Sequence, residues 1–274
     1  ARFAGRGGAL RGEPRNSAEI AGHFRFAGRD DLAAAQLVRA AAAARAVAAL
    51  PEAAAYLTEA ACLSQAASAG PDPELLIELA EVQAWRGMLA ESDEAFGQAL
   101  RLIAPDDNDA QAGAWVRRGH WLRGGICHPR ESLRSYRAAL DSLDRGANQD
   151  PLIRAESLAG MAWAQAVAGD PGEAGILLGE AGELLGEAGN HLAEAGEAPG
   201  QKLSRLSHDV DVARAHALLR VGRFTESYAP LVTASTAAGR AGRPDLAYSC
   251  LANAASAAAC AGDLPRALDF AERC

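Results

Sequence analysis

The residues best equipped for chemistry in this 274-residue chain are few and scattered. His120, Cys127 and His128 form a group of soft metal ligands, and the seven-residue step from His120 to Cys127 can place both on one helix face. A structural zinc site needs four such ligands. No fourth lies near, and Gly124, Gly125 and Pro129 interrupt the segment, so no metal is expected. His208-Asp209 has the composition of a metal-hydrolase dyad, yet it falls where a helix is expected to begin, so Asp209 is expected to cap free N–H groups there. Pro105-Asp106-Asp107-Asn108-Asp109 reads as an acidic, helix-capping connector and not as a calcium loop. The chain contains no GxxxxGK[ST], GxSxG or HExxH pattern, and its single lysine, Lys202, lacks the strand and glycine loop of a phosphate cradle. The expectation is a chain with no catalytic residue, metal or cofactor of its own.

One set of residues suits binding. Trp85, Trp115, Trp121 and Trp163 sit near Arg86, Arg117, Arg118 and Arg123, and indole faces beside guanidinium groups make a ligand groove. Filling of the core between small residues is the expected role for the same indoles, with the groove as the alternative. His23 and His216 fall on apolar helix faces and are expected to pack there with a hydrogen bond.

The elements that must hold these residues are helical. Val 9, Ile 6 and Thr 4 are scarce, about a quarter of the chain is Ala, and Leu, Glu and Arg are abundant. A core of Ala and Leu suits thin helices stacked closely, not an aromatic-rich enzyme core. The net charge of −8, with single scattered Arg residues, argues against a nucleic-acid contact. Charges interrupt even the alanine run from Ala33 to Ala49, so neither a membrane span nor a signal peptide is expected, and a cytoplasmic location is. Five cysteines without a CxxC pair read as reduced thiols. The start at Ala1 and the stop at Cys274, inside an expected helix, read as cuts from something longer.

Internal repetition organises the chain. Small residues in one helix precede a break, often Gly, and then Ala or Ser, a large residue and Ala follow in the next helix. Leu76, Leu79, Ala80 and Gln83, then Gly87, then Ser92, Phe96 and Ala99 form the clearest copy. Six copies are expected, at approximately 34–64, 73–106, 113–146, 155–198, 208–241 and 248–274, within a repeat domain covering 17–274. The first has Ala48 where the Gly belongs, and the third carries an extra residue around Gly125. Residues 1–16 read as a linker or the tail of a preceding domain.

At these positions the chain resembles tetratricopeptide repeats, although its period of about 40 residues, as from Gly222 to Gly262, exceeds their 34 and leaves HEAT-like arrays as the alternative. The resemblance implies an all-α, right-handed α-solenoid of helical hairpins whose first helices line an inner surface. That would place Trp85, Arg86, Trp115, Arg118, Trp121 and Trp163 along a groove. The segment with Ala21, His23, Phe24, Ala27 and Gly28 is similar to the junction that opens the helical-repeat region of large ATP-dependent LuxR-type transcription regulators. It implies a sensor arm that answers to a protein or small-molecule effector and to neighbouring ATPase and DNA-binding domains, without touching DNA itself. The same junction also resembles that of ATPase-coupled cyclases and kinases, and a free-standing adaptor fits the repeats equally.

A sevenfold repetition runs through residues 172–196. Leu178, Ala181, Leu185, Ala188, Leu192 and Ala195 form one stripe, and Gly172, Gly175, Gly179, Gly182, Gly186 and Gly189 form another. A helix clamped closely against a neighbour along its glycines is expected, with a frayed helix as the alternative. Seven acids and no base between 170 and 199 should make the exposed face acidic.

Overall fold

The computed structural model describes residues 7–67, 72–124, 128–146, 150–194, 201–240 and 244–274, all in helices and the turns between them. The helices are α1 (Gly7–Phe26), α2 (Asp30–Ala46), α3 (Leu50–Ala67), α4 (Pro73–Trp85), α5 (Leu89–Leu102), α6 (Asn108–Gly124) and α7 (Pro129–Arg145). There follow α8 (Pro151–Ala168), α9 (Pro171–Glu194), α10 (Gln201–Arg220), α11 (Tyr228–Arg240) after one 3-10 turn, α12 (Pro244–Cys260) and α13 (Leu264–Glu272). The fold is all-α, a solenoid-like repetition of helical hairpins. Helix α1 begins inside the stretch read as a linker. Among the described residues no helix is long and apolar enough to cross a membrane.

The hairpins recur because the same local chemistry ends and restarts the chain. After α4, Gly87 adopts a φ of +79°, and the amides of Gly87 and Met88 reach back to Ala84 O and Gln83 O, each at 2.9 Å. This left-handed termination satisfies two carbonyls that the helix leaves unpaired, and it recurs after α10 and α12. After α2 the turn is built on Ala48 at φ +57°, with Ala48 N on Arg45 O and Ala49 N on Ala44 O. Restarts are equally local: Asp72 and Asp150 precede prolines and accept amide hydrogen bonds from Glu74 (2.9 Å) and Leu152 (2.8 Å). The extra residue expected near Gly125 lies outside the described residues.

The chain divides into two compact units, the boundary between them falling after Asp107. In the first, Ala33, Ala41 and Ala53 are fully buried around Leu37, Leu57 and Val82. In the second, Tyr136, Leu143, Leu158, Met161, Leu178 and Val210 form one core, and Tyr228, Leu231, Leu251 and Phe270 form another. Alanine at the contacts lets helix backbones approach, as the small-residue pattern requires.

Helix α9 corrects one expectation. Its apolar stripe is buried through Ala174, Leu177, Leu178 and Ala181, and Glu180, Glu183 and Glu187 are exposed. The glycine stripe, however, clamps nothing: a Cβ added at Gly175, Gly179, Gly182 or Gly186 would meet no atom within 4 Å. The apolar stripe alone anchors this helix. Residues 195–196, the end of the repetition, lie outside the described residues.

Two stability outcomes follow from this. Replacing Gly179, Gly182 and Gly186 with Ala should raise stability by roughly 1 kcal/mol per site, because each glycine costs helix propensity and protects no contact. Ala48→Gly should raise it by about 1 kcal/mol by relieving the left-handed alanine. Urea denaturation checks both, and a lower midpoint in either variant contradicts the corresponding account.

Candidate functional site

The tryptophans expected to line a groove divide between the units. Trp85, which ends α4 in the first unit, is 39% exposed, and the guanidinium of Arg45 lies 5.1 Å from its ring centroid. Arg45 also faces Glu81 at 3.2 Å and Glu78 at 3.9 Å. Arg86, named beside Trp85 in the sequence, instead donates to Gln83 Oε1 at 2.7 Å. In the second unit Arg118 stands 5.9 Å from the Trp115 ring and donates to Ser135 Oγ at 2.8 Å. Trp121 is 4% exposed and fills the core, so it lines no groove.

Trp163 carries the densest arrangement. Arg123 from α6 covers its ring at 5.9 Å, and His216 from α10 meets it edge-on at 6.4 Å. Arg123 Nη2 faces Asp209 Oδ1 of α10 at 3.5 Å. Asp209 therefore lies within α10 and caps no helix, since that helix begins at Gln201. The capping expectation fails because the helix starts earlier than the apolar periodicity indicates. One turn before Arg123, His120 Nε2 faces Glu156 Oε1 of α8, also at 3.5 Å. The four side chains of these two pairs are between 12% and 21% exposed, enough to meet solvent while their charges act through a poorly solvated setting.

Tyr136 of α7 reaches into this group from the second-helix layer. It is fully buried, and its ring passes between Gly119 of α6 and Gly160 of α8. A Cβ at Gly119 would stand 2.6 Å from the ring, and one at Gly160 closer still. The His120 ring lies 5.8 Å away, edge-on. Burial pushes the phenol well above its ordinary pKa; the Arg123 charge opposes that, and Asp209 and Glu156 reinforce it. The phenol is thus a neutral hydroxyl at any physiological pH. Ser132, one turn earlier on α7, donates to Gly119 O at 3.0 Å and ties the two helices together.

The structure brings Trp163, Arg123 and His216 together and adds Tyr136, Glu156 and Asp209, which the sequence did not mark as a set. Gly119 and Gly160 are the signal that could have found them, being helix-interior glycines with no turn to make. His23 is exposed and so is no packing histidine. His128 Nδ1 faces Glu131 at 3.6 Å, and Cys127 lies outside the described residues. Among the described residues no group of three or more His, Cys, Asp or Glu is placed to hold a metal ion.

No family model matches this chain, and no curated protein matches it. A solved structure, the crystal structure of BtubC (BKLC) from P. vanneervenii, is similar over 97% of this chain and 89% of that one, with 13% identity and a TM-score of 0.53. At that identity the likeness is one of fold alone.

Burial, and then the Arg123 charge, hold the His216 imidazole below its ordinary pKa of about 6.5. The neutral form is therefore favoured by folding. Its contribution is intact above about pH 6.5 and is lost as pH falls from there through the lowered value. Acidification from about pH 7 to pH 5 should lower the melting temperature of the wild type more than that of His216→Gln. Parallel falls in the two proteins would contradict this.

Proposed function

We propose that this chain is a non-catalytic binding module, the sensor arm of an ATP-dependent LuxR-type transcription regulator, and that its second unit receives a protein or small-molecule effector on α6, α8 and α10. The observation that carries the binding reading is the stack of Arg123, Trp163 and His216, flanked by the part-exposed Arg123–Asp209 ion pair and the His120–Glu156 contact. A core whose only task is stability has little use for four ionisable groups at such depth, because paired buried charges rarely repay their desolvation. The LuxR-type assignment is supported by the Ala21, His23, Phe24, Ala27 and Gly28 junction ahead of the hairpins. In this reading ATP hydrolysis belongs to a neighbouring domain, since this chain's sequence contains no phosphate-cradling glycine loop.

The coding sequence on either side tests the assignment. A phosphate-cradle motif upstream and a helix-turn-helix downstream are expected; a cyclase or kinase domain would overturn the LuxR-type reading and leave a binding module. Calorimetric titration of the purified chain with magnesium-ATP should give no binding heat. Micromolar affinity would show that the chain itself takes nucleotide.

A further inference from the structure

The outer side of the last hairpin differs from that of the others. In the hairpins that turn on Ala48, Gly87, Gly169 and Gly222, the position nine residues after the turn holds Leu57, Phe96, Leu178 or Leu231, none more than 3% exposed. Twelve residues after it stands a fully buried alanine, Ala60, Ala99, Ala181 or Ala234. Leu57 shares its core with Val82 of α4, and Leu231 shares its core with Leu251 of α12, so the large residue packs against the first helix of the following hairpin. In α13, counted from Gly262, the same positions are Ala271 and Cys274, and both are exposed. The large residue that separates successive first helices is missing, so this side is not shaped to receive a further hairpin.

The apolar bulk of α13 lies elsewhere. Leu264 and Leu268 are each 64% exposed, and among the described residues no other helix exposes two large apolar side chains. With Ala271 they form a stripe at 4,3 spacing, the seam along which two helices pair. The arginines of the helix are turned away from it: Arg266 lies over the Tyr228 ring at 5.3 Å, and Arg273 lies over Phe270 at 5.6 Å and meets Asp269 at 3.4 Å. Helical geometry sets Ala267 along one edge of the stripe and Pro265 and Glu272 along the other, so Glu272 is the one charge that borders it. A continuous apolar stripe with so little charge around it marks a contact surface, as scattered single leucines do not. We propose that this chain forms a two-fold dimer through α13, the Leu264, Leu268 and Ala271 stripe of one copy packing antiparallel on that of a second. A second copy offers the same apolar seam, and antiparallel pairing sets the two Glu272 carboxylates at opposite ends of the contact, where they do not repel. The two-fold closes the assembly at two chains. Tyr248 of α12, 57% exposed, extends the surface at one end, since Cys274 Sγ lies 4.0 Å from its carbonyl oxygen. This contact is independent of the effector face on α6, α8 and α10.

Sedimentation equilibrium of the intact chain, from about 1 µM to about 300 µM because a contact of this size associates weakly, tests the dimer. The mass should rise from one chain toward two and no further. Leu268→Glu should weaken the association about tenfold or more, the scale of withdrawing one buried leucine from a contact. Leu268 is exposed within a single copy, so at concentrations where both proteins are monomeric the variant should melt with the wild type. Ile176→Glu, at an exposed apolar residue of α9, should leave the association unchanged. A wild type that stays monomeric over the whole range, or an association that Leu268→Glu leaves intact, would overturn the proposal. An equal loss in Ile176→Glu would place the contact elsewhere and overturn it too. Growth beyond two chains would refute the two-fold and indicate a head-to-tail contact.

Discussion

An aromatic ring held between two helix backbones fixes the geometry of the second unit. Tyr136 projects from α7 and passes between α6 and α8 at Gly119 and Gly160, and at neither place is there room for a methyl group. The ring therefore sets how closely α6 and α8 approach, and with it the distances between residues one turn away. His120 is adjacent to Gly119; Glu156 and Trp163 flank Gly160 by about one turn on either side. Moving either helix by a fraction of an ångström would change the 3.5 Å separations of His120 from Glu156 and of Arg123 from Asp209.

The consequence is that a core residue and a surface site share one anchor. Dense packing leaves no slack around the ring, so the first-helix face inherits the rigidity of the interior. Ser132 adds a hydrogen bond from α7 to the Gly119 carbonyl, holding the same contact from its backbone side. The four ionisable groups pay part of their desolvation through pairing, and the mixed signs keep them from repelling one another. What remains part-exposed is a face on which Arg123 and Asp209, and His120 and Glu156, are set in pairs beside Trp163.

The helices and their turns were readable from sequence because they depend on local chemistry. A left-handed residue after a helix and an aspartate before a proline are signals within a few residues, and even Ala48 could be recognised as the occupant of a glycine's place. The glycines of α9 misled for the opposite reason. A stripe of small residues permits close approach but does not create a neighbour, and nothing in residues 172–196 says whether a helix lies opposite. Asp209 was read as a cap because periodicity weakens at helix starts, while its true partner, Arg123, is 86 positions away in sequence. Trp121 and Trp163 look alike on paper and differ in depth: Trp121 is buried, whereas Trp163 lies against the core beneath Arg123 and stays part-exposed.

The wedge is tested most directly by measuring the urea-denaturation stability of Gly160→Ala. If the Tyr136 ring occupies the space beside Gly160, the added methyl group overpacks a site that cannot yield, and stability should fall by about 2 kcal/mol. If the ring is not there, alanine simply improves an interior helix position. A gain of about 1 kcal/mol would then be seen, and it would contradict the account.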